Sequence, residues 1–328
     1  MSFRFLTFFA LFTSLSVGNL MGEEKVKNPS IPSEEQMNTF HVSLDALYWH
    51  TSEIVDWAFT LKSDETTVKT SYKTFDFDWA PGFRLGLGYN MAHDQWDTRA
   101  RYTWFQAKAR ATAGGPVTPA FLGARLGGIE PFSSGKGSLD LLYHMFDWDL
   151  GKAFYVSQAL SLRLAVGLKG GWIAQKLNTS WKKLDHPGGP VSATEDLRQH
   201  FSCGGPKGGV TGQWWFLRKD QSSFGLIGML EAGYLLGHWS IKDKYTDTLN
   251  VTARVLTNDR NFGALVLYSF IGLGWELNFN QDRNHFALRC GYEIEDWLNQ
   301  CQFFTDTSGS QSNDLSFQGT NLRLTLDF

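Results

Sequence analysis

The sequence has little of what marks nucleic-acid-binding proteins or helical membrane proteins. Its 328 residues include 30 lysines and arginines against 33 aspartates and glutamates. We predict no nucleic-acid partner, because a phosphate backbone is bound through clustered basic residues. Beyond residue 22 the longest uncharged run, from Asn261 to Trp275, is shorter than the ~20 residues of a membrane-spanning helix. If the protein lies in a membrane, it crosses as strands.

Cysteines are scarce as well. The three present are Cys203, Cys290 and Cys301, and they have neither metal-ligand spacing nor the even number of a disulfide framework. Two interpretations stay open for them. They are small apolar residues that face a core or lipid, or one of them crosslinks to a neighbouring molecule in an oxidising compartment.

Motifs for catalysis or for a cofactor are also missing. The pairs His144 with Asp147 and His238 with Asp243 have no nucleophile context. No phosphate loop, zinc motif or nucleophile elbow occurs in the sequence. We therefore predict that the protein is not an enzyme and that it uses no cofactor or metal.

The first residues indicate export. Arg4 lies in a short charged start, and an uncharged apolar run follows it from Phe5 to Val17, which is typical of a secretory signal peptide. We assign residues 1–22 to this peptide. Residues 23–38 are polar and aperiodic, with two prolines and four glutamates, and are predicted to form a flexible leader. Residues 39–328 form one further domain.

Period-two alternation recurs throughout this domain. Apolar residues at 83, 85, 87, 89 and 91 alternate with polar residues or glycine, and such a pattern places the two sets on opposite faces of a strand. We predict about ten strands, at 40–50, 80–91, 95–110, 138–150, 159–177, 197–217, 222–240, 260–279, 285–299 and 315–328. An additional hairpin is possible within 51–79, at Ile54–Leu61 and Val68–Phe75.

The connections between these strands alternate in length. Those at 91–95, 151–157, 217–221 and 280–284 are short, whereas those at 51–79, 111–137, 178–196, 241–259 and 300–314 are long. Short periplasmic turns and long extracellular loops are typical of outer-membrane barrels. The fold class is therefore all-β, a transmembrane antiparallel β-barrel of about 10–14 strands.

A soluble sandwich would also alternate, but its strands are mostly about five or six residues long. The aromatic residues, which include 13 Trp and 26 Phe, favour the membrane. Many lie near predicted strand ends, where amphipathic rings meet lipid headgroups. We expect an aromatic girdle at Tyr48 and Trp49, Trp79, Trp96, Tyr102 and Trp104, Trp148, Trp172, Trp214 and Trp215, Trp275 and Trp297.

Charged residues within the strands must face the lumen, because each Arg or Lys facing the lipid midplane would cost roughly 2–4 kcal/mol. The candidate pore-lining residues are Arg84, Arg99, Arg101, Arg163, Lys169, Glu231, Glu276, Arg289, Glu293 and Arg323, and Asp97 and Asp140 are assigned to the same face. They line a small aqueous pore or pair with one another as struts. We favour the pore, because lumenal glycines such as Gly88, Gly272 and Gly291 leave space.

The last predicted strand has the same pattern. Leu322, Leu324, Leu326 and Phe328 share one face, and Arg323 and Thr325 share the other. The first set is expected to face lipid. A strand that ends in this way resembles the signal read by the outer-membrane assembly machinery, which we expect as a partner of this chain.

Five segments resemble the Legionella-type major outer membrane protein family, also called MOMP-like, which occurs in Legionella and in chlamydia-related bacteria. They are SLDALYW (43–49), WAPGFRLGLGYN (79–90), FSCGGPKGG (201–209), GYEIEDWLNQ (291–300) and DLSFQG (314–319). The resemblance implies pore-forming outer-membrane barrels that are abundant at the cell surface, with adhesion to host cells as a proposed role. It supplies no catalytic residues. The chain departs from chlamydial porins in having few cysteines. A disulfide-crosslinked envelope like theirs is therefore not expected here.

Two functions follow as expectations. The first is a porin that passes small hydrophilic solutes, and the second is a surface adhesin that uses its long loops for host attachment, with a structural role in the envelope. Outer-membrane lipid is an expected partner, and the adhesin alternative adds a host surface. Solute selectivity, oligomeric state and whether the lumen is open or plugged stay undecided at this point.

Overall fold

The computed structural model describes residues 38–63, 68–92, 94–121, 131–185, 187, 191–219, 221–248, 252–279, 284–305, 309–310 and 313–328. The predicted signal peptide (1–22) and, apart from Asn38, the predicted leader (23–38) lie outside the described residues. Within these ranges no helix is long and apolar enough to cross a membrane. The described residues form fourteen strands.

The strand bounds extend the predicted ones. They are β1 (Thr39–Glu53), β2 (Asp56–Ser63), β3 (Val68–Thr74), β4 (Ala80–Asn90), β5 (Trp96–Pro119), β6 (Phe132–Tyr155), β7 (Leu160–Lys183), β8 (Val191–Lys219), β9 (Ser222–Asp247), β10 (Thr252–Phe279), β11 (Asn284–Cys301), β12 (Phe304–Thr305), β13 (Gly309–Ser310) and β14 (Asn313–Asp327).

Ten of these strands close into an antiparallel barrel. Their order around the wall is β5-β4-β1-β14-β11-β10-β9-β8-β7-β6, and pairing of β6 with β5 completes the ring. The closed ring itself has no sheet edge, so each of its ten strands has backbone hydrogen-bond partners on both sides. The predicted fold class is confirmed, and each of the ten predicted strands corresponds to one barrel strand, from which it protrudes by at most one residue.

The predicted hairpin within 51–79 is also present, as β2 and β3. It continues the wall beyond the long-loop end of β5, where Ala58 pairs with Pro119. At the opposite end the connections are short, as predicted. There the backbones of Phe40 and Phe328 exchange two hydrogen bonds of 3.0 Å.

The long connections differ from the prediction. Most of 111–137, 178–196 and 241–259 continues the strands. The longest strand, β8, has 29 residues. At ~3.3 Å per residue and a tilt of ~40° this corresponds to about 70 Å along the barrel axis, against an apolar band of ~25 Å. Glycines and prolines of these segments therefore lie within strands and not only in turns. The alternation of inward and outward side chains also continues through these segments.

The polarity of the two strand faces inverts along the long strands, and in β7 it does so without any inserted residue. In β7, Val166 and Leu168 face outward and are 66% and 55% exposed, whereas Lys169 is buried inside. Farther along, Lys176 faces outward and Leu177 is buried inside. The register of β7 with β6 and β8 is unbroken. The inversion therefore marks the membrane surface on the side of the long connections, which we call the upper side.

Outward-facing aromatic side chains lie at this inversion. Tyr48 and Trp79 stack with ring centroids 5.5 Å apart, and Trp172 stacks on His144 at 4.7 Å. Three members of the predicted girdle are corrected, because Trp49, Trp215 and Trp297 point inward and are at most 7% exposed. Trp49 and Trp297 lie where the interior becomes apolar, and Trp215 lies near the short-turn end of β8.

Asp140 is also corrected. It was assigned to the lumen, but it lies on the outer face of β6, where its carboxylate is 3.2 Å from Lys108 Nζ. The buried residues of this stretch are its neighbours Leu139 and Leu141. Asp140 lies above the inversion, where outward charge meets water and inward charge would disrupt an apolar core.

The position of the lipid band can be tested on one strand. Val166→Arg places a charge against lipid and should lower the free energy of unfolding by about 2–4 kcal/mol. Ser180→Arg, on the same face of β7 but beyond the inversion, should change it by less than about 0.5 kcal/mol. Urea titration of both variants in lipid vesicles, followed by tryptophan fluorescence, measures the difference. Equal losses would contradict the assigned membrane level.

Candidate functional site: the barrel interior

The interior of the membrane segment is lined with charged side chains. All ten candidate pore-lining residues point inward. The same face also carries further groups that the candidate set omitted, namely Asp45, Asp147, Asp149, Lys207, Glu295 and Asn321. For most of these, alternation within their strands was a usable signal. Lys207 had none, because it lies in a glycine-rich segment.

Glu293 is the centre of the first cluster. Its carboxylate accepts hydrogen bonds from Trp49 Nε1 at 2.9 Å, from Tyr268 Oη at 2.6 Å and from Asn321 Nδ2 at 2.8 Å. Arg84 donates to the same carboxylate at 3.3 Å and to Asp45 at 3.1 Å. Every member of the cluster is buried. A buried charge is tolerated only with partners at close range, and these contacts supply them.

Asp45 links this cluster to Arg323, whose guanidinium donates two hydrogen bonds to it at 2.8 and 2.7 Å. Glu276 and Arg289 form a separate pair lower in the barrel, 3.4 Å apart. In both places a predicted lumenal residue forms an ion pair with a residue on the neighbouring strand.

Other pairs cross the lumen. Arg101 of β5 donates to Glu231 of β9 at 2.9 Å, although these strands are four positions apart around the ring. Lys169 of β7 lies 2.7 Å from Glu295 of β11, again four positions away. Arg163 bridges Asp97 and Asp149. The opposite walls are thus joined directly through side chains.

A layer of aromatic residues covers this network at the level of the polarity inversion. We call it the aromatic roof, and its members are Trp49, Phe105, Tyr143, Trp297 and Phe317, each at most 1% exposed. Tyr143 Oη donates to Glu295 at 2.8 Å across the full diameter, since β6 and β11 are five positions apart in either direction. The Tyr143 ring also lies 4.9 Å from Phe317 and 6.1 Å from Trp297. Side chains therefore close the lumen at this level.

The space expected beside the lumenal glycines is occupied. A Cβ at Gly88 would overlap the imidazole of His41, and a Cβ at Gly272 or Gly291 would overlap the ring of Phe270. These glycines admit bulky neighbouring side chains. The earlier interpretation that they leave the lumen open is corrected by these contacts.

Above the roof the interior resembles a soluble protein core with a buried polar chain. Gln199 Nε2 donates to Gln175 at 2.7 Å, and Gln175 donates to Glu53 at 2.5 Å. The backbone amide of Gln302 donates to Gln199 at 2.8 Å. Gln302 and its neighbour Phe303 are buried, so the start of the connection after β11 folds into the barrel mouth.

Histidines and cysteines form no reactive centre among the described residues. His144 contacts Tyr102 Oη at 2.7 Å on the outer face, whereas Asp147 points inward. His238 likewise faces outward and away from Asp243. The described residues contain no metal-binding cluster. The three cysteines are free, with Cys290 exposed on the outer face and Cys301 buried.

Residues 30–328 match the family model described as Legionella pneumophila major outer membrane protein precursor. The chain belongs to this family. Membership confirms the resemblance found in the five sequence segments. Together with the closed barrel, it identifies this member of the Legionella major outer membrane protein family as an outer-membrane β-barrel.

Other comparisons add little. No curated protein sequence matches this family member. The solved Escherichia coli outer membrane protease OmpT is 13% identical, with 90% of this chain and 97% of that chain covered and a TM-score of 0.41. A Pseudomonas aeruginosa FadL homologue is 10% identical, at 89% and 90% coverage and a TM-score of 0.30. The P. putida toluene transporter TodX is 9% identical, at 88% and 89% coverage and a TM-score of 0.23. These values are too low to carry a conclusion about activity.

The Glu293 cluster gives a prediction about stability. Glu293→Ala leaves the buried guanidinium of Arg84 without its main partner and should cost about 3–5 kcal/mol. The combined Arg84→Met and Glu293→Leu variant removes both charges and should recover much of that loss. Lys108→Ala, at an exposed pair, should cost less than about 1 kcal/mol. Urea titration measures each value, and a double variant no better than Glu293→Ala would contradict the assigned pairing.

Glu53 gives a prediction about pH. Burial raises the pKa of its carboxyl to about 7. The folded protein therefore loses stability as pH rises through the range between the ordinary glutamate pKa and about 7, and the loss is complete above that range. Glu53→Gln should be more stable than the parent above pH 7, by up to about 3 kcal/mol, and the advantage should vanish near pH 4. Unfolding titrations at several pH values test this, and a constant difference would refute it.

Proposed function

We propose that this protein is a closed, non-catalytic outer-membrane barrel that acts at the cell surface as an attachment platform. The observation that carries the proposal is the contact between Tyr143 and Glu295 across the full diameter of the lumen. Diffusion of hydrophilic solutes needs a continuous aqueous path. The aromatic roof and the ion pairs below it occupy that path.

The part of the barrel beyond the membrane supports a surface role. Its interior is a packed apolar core, in which Trp57 and Trp181 lie with ring centroids 5.3 Å apart. Leu177, Leu197 and Phe132 are buried in the same core. A packed interior makes the protruding wall rigid, and a rigid surface loses less conformational entropy when it binds a partner than free loops do.

A narrow gated pore is the second candidate. It is favoured by the composition of the membrane segment, where the interior contains ion pairs such as Arg101–Glu231 rather than apolar packing. Side chains in ion pairs can exchange their partners for water, whereas apolar side chains in a packed core cannot. An opening of this kind would require the aromatic roof to move as well.

Conductance in planar bilayers separates the two candidates. The parent protein should give no steady conductance steps. The combined Tyr143→Ala and Trp297→Ala variant removes two roof side chains and should conduct. The combined Trp104→Ala and Trp172→Ala variant, which removes outward-facing rings at the same level, should stay as silent as the parent. Regular steps from the parent protein would overturn the closed barrel in favour of the pore.

Attachment is tested with the whole chain. A non-adherent bacterium that displays the barrel should bind cultured eukaryotic cells several-fold more than one carrying an empty vector. Purified barrel in lipid nanodiscs should compete with this binding, and empty nanodiscs should not. Equal binding with and without the barrel would refute the attachment role.

A further inference from the structure

One sector of the outer wall carries a concentration of basic side chains. Four of them lie in a single cross-strand row that runs from β5 to β9, in which the register joins Lys108, Asp140, Lys176, Arg198 and Lys242. Neighbouring side chains in such a row are roughly 5 Å apart. All five face outward.

The next two rows add three cations, Arg110, Lys136 and Lys244. Asp196 supplies the second acidic side chain of this surface. We call these seven basic residues the basic wall. Five of them, Arg110, Lys136, Arg198, Lys242 and Lys244, line a groove of about 730 Å³.

Part of this charge is not neutralised within the protein. Lys108 pairs with Asp140 at 3.2 Å, and both Arg198 and Lys176 pair with Asp196, at 2.7 and 3.6 Å. Within the described part of the chain, the remaining cations at 110, 136, 242 and 244 form no ion pair. Four exposed cations are therefore available to an external anion.

The position of Lys176 relative to the aromatic girdle indicates which anion the basic wall meets. Lys176 follows the girdle residue Trp172 by four positions in β7, which corresponds to about 10 Å along the barrel axis at the usual rise and tilt. Lipid headgroups occupy the layer directly outside the hydrocarbon core. Lys176 therefore lies next to that layer, and its row is inclined to the membrane plane because ladder partners lie perpendicular to tilted strands.

The opposite side of the barrel lacks this feature. Directly above the girdle residue Tyr48, the register places His50, Gln318 and Ile294 beside one another on β1, β14 and β11. The next row contains Ser52, Ser316 and Asp296. Among the described residues, the outer faces of these three strands carry no Lys or Arg above the girdle. The described outer faces of these three strands thus lack the charge that the basic wall carries.

We propose that the basic wall binds the phosphate groups of a phosphorylated glycolipid in the outer leaflet of the membrane that surrounds the barrel. Phosphate oxygens accept charge-assisted hydrogen bonds from Lys and Arg. The acyl chains of the same lipid lie against the apolar faces of β5 to β9 below, where Leu164, Val166 and Leu230 are exposed. The two halves of such a lipid therefore meet two matching surfaces of one wall.

Native mass spectrometry of the full chain in detergent tests the proposal with bisphosphorylated lipid A as the probe. Arg110→Gln, Lys242→Gln and Lys244→Gln combined should weaken lipid A binding at least tenfold. Lys62→Gln, Lys69→Gln and Lys73→Gln combined remove the same charge from the exposed β2–β3 hairpin and should leave binding within twofold. Removal of both phosphates from the lipid should abolish the difference between the parent and the first variant.

Other sources of the anion are distinguished in the same experiment. Inorganic phosphate at millimolar concentration should not displace the lipid, and heparin should bind the parent and the hairpin variant no more tightly than lipid A does. Equal weakening by the two triple variants, indifference to the lipid phosphates, or preferential binding of phosphate or heparin would overturn the proposal. None of these readouts depends on attachment to other cells.

Discussion

The narrow circumference of a ten-stranded ring is the constraint on which the rest of the structure depends. Charged residues in membrane-spanning strands are excluded from lipid and must turn inward. In a wide barrel water would solvate them, but here side chains from opposite walls reach one another, as Tyr143 and Glu295 do. Burial of a charge is tolerated only with partners. The interior is therefore a connected network such as the one around Glu293 and not a set of independent charges.

The second consequence concerns the part of the barrel outside the membrane. The same strands continue there, with the same residues alternately inside and outside, but water now surrounds the wall. Apolar side chains move to the interior face and charges to the exterior face, as Leu177 and Lys176 illustrate. One continuous sheet thus combines a membrane barrel with a polar interior and a soluble barrel with an apolar interior. The aromatic roof lies where the two meet.

Alternation was sufficient to predict the strands, their faces within the membrane and the direction of charges such as Arg84 and Lys169. The errors about the region beyond the membrane have one physical origin. Asp140 and the connections at 111–137 and 178–196 were interpreted with the rule for a membrane wall, although they lie beyond the inversion. A shift of the hydrophobic phase by one residue without an insertion was visible in the sequence of β7, and it would have marked the boundary.

The contacts that close the lumen were beyond reach from the sequence. Alternation shows that Arg101 and Glu231 face inward, but it does not show which strands lie across from each other or how wide the ring is. Trp49 and Trp297 were assigned to the girdle by residue type, since nothing in the local pattern separates a ring at the headgroups from a ring in the roof. Those assignments depend on barrel diameter and register, which are properties of the whole sheet.

The abrupt polarity inversion also fixes how deeply the protein sits in its bilayer. A helix can tilt when a membrane is too thin, but a barrel whose outer face changes from Leu168 to Lys176 within eight residues has little freedom to slide. A shift toward the periplasm would pull cations into hydrocarbon, and a shift outward would expose leucines to water. Where bilayer and protein differ in thickness, the surrounding lipids must stretch or compress to match. The protein therefore imposes a local thickness on the membrane around it.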